Sequence, residues 1–147
     1  MFADFLNRLT RSDPAPLPET DARLALAALL VRIARSDGDY APQEINRIDR
    51  ILLARYKLSP NDVTSLRHKA EELEAEAPDT VRFTRAIKAV VPYEERESVV
   101  EALWEVVLAD GERDTHEDAL LRLLANLLGV NDRNSNIIRK RLEDRQK

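Results

Sequence analysis

Ser36-Asp37-Gly38-Asp39-Tyr40-Ala41-Pro42-Gln43-Glu44 is a short acidic stretch, and a second version of it, Asp110-Gly111-Glu112-Arg113-Asp114-Thr115-His116-Glu117, recurs later in the chain. With Asp37-Gly38 laid on Asp110-Gly111, each copy carries an acid two positions after the first Asp (Asp39, Glu112) and a glutamate seven after it (Glu44, Glu117). The flanks agree as well: Leu30, Ile33 and Ala34 fall on Leu103, Val106 and Val107, while Ile48 and Ile51 fall on Leu121 and Leu124. Apolar residues three and four apart are the buried stripe of a helix. The chain therefore reads as a duplicated helix–loop–helix unit, not as an extended repeat array.

Composition bounds the rest. With 147 residues, 44% hydrophobic and 34% charged, the chain suffices for one domain with a real core. Three glycines and few aromatics, beside abundant Ala, Leu, Arg and Glu, favour an all-helical fold. The absence of cysteine excludes disulfides, thiolate metal sites and thiol catalysis. A net charge of -4 argues against general nucleic-acid binding. Met1 to Leu9 lacks the long apolar run of a signal peptide. The stretch Leu24 to Ile33, broken only by Arg32, is about half of the ~20 residues a membrane span requires. The expectation is a protein without a transmembrane segment, cytoplasmic or peripheral to the inner membrane.

Phe2, Phe5, Leu6 and Leu9 mark a short amphipathic helix. Pro14, Pro16 and Pro18 then impose an extended connector, so residues 1–19 form an N-terminal segment and residues 20–147 the helical domain. Docking of that first helix on the core is favoured over a partner-binding or membrane-surface anchor. The first long helix runs from Thr20 or Asp21 to about Ser36 and is apolar nearly all round, which predicts burial on several sides. Pro42 opens the second helix, with Ile45, Ile48, Ile51 and Leu52 inward and an end near Tyr56. Ser59-Pro60-Asn61-Asp62 caps and opens a third, through Leu66 and Leu73 to about Glu76. A fourth, from about Thr80 to Val90, offers Val81, Ile87 and the following Val91 for burial. After Pro92 the pattern restarts: helix five from Tyr93 to Ala109, helix six from Thr115 to Leu128 stopped by Gly129, and helix seven from about Asp132 with Ile137, Ile138 and Leu142 on one side. Two such units commonly pack about a pseudo-twofold axis, which makes helices one and five the candidates for the centre.

Ala34-Arg35-Ser36-Asp37-Gly38-Asp39 with Glu44, and Leu108-Ala109-Asp110-Gly111-Glu112 with Glu117, resemble the twin A-x-x-D-G-x-x-x-x-x-E signatures of the TerB-like family of tellurite-resistance proteins, to which the amino-terminal domain of the DjlA co-chaperones is related. The resemblance covers about Ala22 to Leu142. It implies a single all-helical domain whose acidic loops bind divalent metal, in a bacterial protein tied to tellurite or general stress responses. Tyr40, Ala41 and Pro42 make the first loop less acidic than the second. No J-domain or membrane anchor accompanies the repeats, which points away from the co-chaperone branch.

A physical case for a cation stands beside the resemblance. The C-terminal end of a helix carries partial negative charge, so an acid placed there is disfavoured by about 0.3–1 kcal/mol. Both loops put an Asp there. In the first, Asp37, Asp39 and Glu44 could converge with free carbonyls on one hard cation, calcium or magnesium. In the second, Asp110, Glu112, Asp114 and Glu117 supply four acids, and His116 a nitrogen that would admit manganese or zinc. Neither is an EF-hand, whose bidentate Glu comes eleven positions after the first Asp. Capping is the competing explanation: Glu44 and Glu117 lie where a capping box places its glutamate, Asp114 is a plausible cap, and Gly38 and Gly111 make ordinary helix stops. It leaves the acids at 39 and 112 unexplained.

No catalytic constellation assembles. His68, between Arg67 and Lys69, reads as a surface residue, and no G-x-S-x-G, phosphate loop or H-E-x-x-H occurs. Arg82, Arg85 and Lys88 form a basic stripe on helix four, and Arg139 and Lys140 with Arg141, Arg145 and Lys147 make the carboxyl end basic. Solvated helix faces explain both by default, and an acidic protein or lipid headgroups would be the partner otherwise. The expectation is a seven-helix, non-enzymatic stress-response module that binds a divalent cation and a partner protein, membrane-associated or not. The alternative is a metal-independent interaction or co-chaperone-like scaffold whose acids cap helices.

Overall fold

The structure is a computed structural model, and it describes residues 19–36, 38, 40–76, 80–109 and 115–145. Among these the chain forms seven α-helices and no strand: α1 Glu19–Arg35, α2 Pro42–Tyr56, α3 Pro60–Glu76, α4 Thr80–Val90, α5 Arg96–Val107, α6 Thr115–Leu127 and α7 Asp132–Arg145. The N-terminal amphipathic helix expected from Phe2 to Leu9 lies outside the described residues.

α1 is buried because its sequence is apolar nearly all round from Leu24 to Ala34, broken only by Arg32. Ala25 through Val31, then Ile33 and Ala34, are all excluded from solvent. It packs on α2, α3, α4, α5 and α6, while α5 packs on α1, α2, α6 and α7. The two central helices are thus the pair expected from the repeat, and each presents matching residues: Leu30 and Leu103 are both fully buried, as are Ile48 and Leu121.

The punctuation of the two repeats also matches. α2 ends at Lys57 with φ 53, and the turn after α6 ends at Gly129 with φ 86, both left-handed. Two residues on, Ser59 Oγ accepts the N–H of Asp62 at 3.2 Å, and Asn131 Oδ1 accepts the N–H of Asn134 at 2.8 Å. A side-chain oxygen taking the N–H three residues on is the N-cap bond, and each opens its repeat's third helix. The register between copies is 73 residues from Asp37 to Asp110 and 72 from Lys57 to Gly129, so the second copy is one residue shorter at this turn. One turn further into the third helices, Arg67–Glu71 at 3.1 Å and Arg139–Glu143 at 3.6 Å are equivalent ion pairs.

Three details depart from the sequence reading. Helix five does not begin at Tyr93: Tyr93–Glu95 is a 3-10 turn closed by Glu95 N–H to Pro92 O at 2.9 Å, and the α-helix starts at Arg96. Arg96 is drawn back onto the end of α4, donating to the carbonyl oxygens of Lys88 at 3.1 Å and Val91 at 3.4 Å. These are unsatisfied carbonyls of a helix C-terminus, which a guanidinium suits in both charge and hydrogen bonding. Val81 is 40% exposed and Ile137 52% exposed, so neither joins the core. Ile137 is flanked along its helix by buried Ser135 and Ile138, and Ser135 takes the inward position because it bonds Trp104.

Candidate functional site

The first loop is framed at both ends by α3. Arg35, the last residue of α1, donates to Glu74 Oε2 at 2.9 Å, and Arg32 one turn earlier donates to Glu74 Oε1 at 3.2 Å. At the far end of the loop, the Tyr40 hydroxyl donates to Glu71 Oε2 at 2.7 Å, and Arg67 bridges Glu71 (3.1 Å) and Asp49 (2.7 Å). The Arg35 guanidinium lies 4.9 Å from the centroid of the Tyr40 ring, closing the frame. Burial first, then the bond to the Glu71 carboxylate, pushes the Tyr40 phenol far above its usual value, so it is a hydrogen-bond donor throughout the physiological range. Inside the frame, Ser36 Oγ donates to Ile33 O at 2.7 Å, Gly38 N–H donates to Arg35 O at 3.0 Å, and Gly38 adopts φ 83. Gly38 therefore supplies the left-handed residue that stops α1, as its position after Asp37 suggests.

Glu44 sits in the first turn of α2 and is 1% exposed. Its Oε1 accepts the N–H of Ala41 at 3.3 Å, which is the carboxylate half of a capping box; Ala41 has no side-chain oxygen with which to reciprocate. Of the proposed ligands, Glu44 is the one whose side chain is described. Asp37, Asp39, Asp110, Glu112 and Asp114 lie outside the described residues, as do the side chains of His116 and Glu117. Among the described residues no three His, Asp or Glu side chains gather closely enough to hold a metal.

The basic stripes divide. Arg85, Lys88 and Lys140 are exposed, and the side chain of Arg82 lies outside what is described. Arg139 is turned inward: its side chain is 17% exposed, paired with Glu143, and its guanidinium lies 5.9 Å from the Trp104 ring centroid. His68 is exposed, in keeping with a surface role. The sequence reading did not anticipate the Tyr40–Glu71 bond, because no local pattern links residues 31 positions apart. The one available signal was that a tyrosine stands where the second copy has Arg113.

With the helices, the duplicated turns and the loop geometry in place, the comparison with known families is decisive. The family model for Tellurite resistance protein TerB matches residues 23–140, most of the chain and all seven helices in whole or part. The chain belongs to the TerB family. Neither the curated proteins nor the solved structures provide a significant match. Among the described residues no helix is long and apolar enough to cross a membrane.

Proposed function

We propose that this TerB-family chain is a non-enzymatic bacterial stress-response module of the tellurite-resistance type, whose two acidic loops bind a divalent cation, calcium or magnesium before manganese or zinc, and couple that binding to a partner protein. The observation that carries the reading is Glu44. Its carboxylate is ordered at the start of α2, 1% exposed and bonded to the Ala41 N–H at 3.3 Å, and oxygen ligands of this kind suit a hard cation shared with Asp37 and Asp39. Glu117, with Asp110, Glu112 and Asp114, repeats the same sequence relation in the second loop.

The same Glu44–Ala41 bond is what favours the second reading, a metal-independent interaction scaffold in which the acids only cap. Thermal unfolding separates the two. Under the first reading, millimolar calcium or magnesium raises the melting temperature of the metal-stripped protein, as any ligand of the native state does, and Asp110→Asn with Glu117→Gln reduces the rise. A melting curve indifferent to every divalent ion would leave capping as the role of the acids.

A further inference from the structure

α7 divides its charges unequally. Its acids are engaged: Asp132 pairs with Arg122 at 2.9 Å, Glu143 with Arg139 at 3.6 Å, and Asp144 also has a partner. Two of its cations are engaged as well, Arg139 with Glu143 and Arg145 with Glu101 at 3.6 Å. Arg133, Lys140 and Arg141 are exposed and form no ion pair among the described residues. These three follow the order i, i+7 and i+8, with Ile137 at i+4, so all four side chains share one face of the helix. Ile137 is 52% exposed in the midst of them. Ser135, Ile138 and Leu142 are buried on the opposite side, which makes the basic stripe the outward crest of α7.

The duplication provides a control within the same chain. In the register of the third helices, the four places hold Asn61, Ser65, His68 and Lys69, all of them exposed. The fold is therefore satisfied by a polar crest with a single full charge. The second repeat instead sets three cations around an aliphatic side chain, in a protein whose net charge is -4. Cations flanking an exposed apolar residue suit a bilayer rich in anionic lipid, the charges meeting headgroups and the apolar side chain entering the interface. A peptide partner draws its affinity from a groove or an open sheet edge, and a helix crest offers neither. A convex crest meets a plane along its whole length.

We propose that the α7 crest of Arg133, Ile137, Lys140 and Arg141 docks the protein on an anionic membrane surface. This contact is independent of the divalent cation of the loops. The test sediments the full chain, with chelator present to exclude ion bridging, with vesicles of phosphatidylglycerol and phosphatidylcholine in equal parts and with vesicles of phosphatidylcholine alone. The expected result is saturable association with the anionic vesicles only, weakened by high salt and weakened about tenfold or more by Lys140→Glu with Arg141→Glu. Ile137→Ser, which restores the residue of the first repeat, should weaken it at constant charge. Arg50→Glu with Lys69→Glu makes the same change in net charge on exposed positions of the first repeat and should retain most of the association. Circular-dichroism melting curves of the variants, all at exposed positions, report that each is folded. Absence of association with anionic vesicles, or an equal loss in the two charge-reversed pairs, would overturn the proposal. Tighter binding to polyglutamate than to the vesicles would also overturn it and assign the crest to an acidic protein.

Discussion

The two repeats share their backbone punctuation and differ in what braces the helices around it. Each has a central helix, an acidic loop, a second helix ending in a left-handed residue, and a capped third helix. In the first repeat the brace is ionic and grips the loop: Arg35 to Glu74, Tyr40 to Glu71, and Arg67 between Glu71 and Asp49. The second repeat has Leu108 where the first has Arg35, and Arg113 where the first has Tyr40. Its described brace joins α5 to α7, where Trp104 bonds Ser135 and Arg139 lies over the indole. Duplication conserved what the chain needs to turn and bury its helices, and left free what each copy does with its polar side chains.

The shared part predicts the largest effects. Leu30→Ala and Leu103→Ala should each destabilise by about 2–5 kcal/mol in chemical denaturation, because both delete a buried side chain of a central helix. A large loss at one and a negligible loss at the other would break the equivalence of the two cores. The braces come next. Tyr40→Phe and Ser135→Ala should each cost about 1–2 kcal/mol, since each deletes one half of a side-chain hydrogen bond, part-buried at Tyr40 and buried at Ser135. Hydrogen exchange should localise the first loss to α3 and the second to α7; a uniform loss in both would mean that the repeats are not separately braced.

Smaller effects follow at the left-handed turns. Lys57→Gly should stabilise by about 0.5 kcal/mol, and Gly129→Ala should cost about 1 kcal/mol, because only the second copy already holds the residue that tolerates positive φ. The smallest effect concerns Glu105, which stands where the first repeat has Arg32. Burial first, and then Glu101, raise its carboxyl above the usual range, with Arg47 and Arg145 opposing. The native state therefore holds this proton more readily than the unfolded chain, and stability falls as pH climbs from the ordinary glutamate value through the raised one. Glu105→Gln should raise the melting temperature slightly at about pH 7 and leave it unchanged at about pH 4, where the glutamate is largely protonated in both states. An equal gain at both pH values would assign the effect to packing.

How far this was legible in the sequence varies by the range of the interaction. Helix starts at Pro42 and Pro60, the Ser59 cap, the stop at Gly129 and the central position of α1 and α5 rest on local chemistry and apolar spacing, and they appear where expected. The family followed from the two acidic signatures. Ile137 was misplaced because α7 is short of apolar residues and its inward face uses Ser135, which spacing alone counts as polar. Arg139 was placed on a solvated face because its stacking on Trp104 depends on two helices meeting. For the same reason no local pattern revealed the frame that α3 builds around the first loop.

The measurement that tests the central proposal most directly is calorimetric titration of the metal-stripped protein with calcium, magnesium, manganese and zinc, repeated on Glu44→Gln. The account predicts saturable binding of at least one ion by the native protein and weakened binding in the variant, because the buried carboxylate of the first loop is then uncharged. Absence of heat with every ion, or binding indifferent to Glu44→Gln, would contradict it and leave Glu44 as a buried cap.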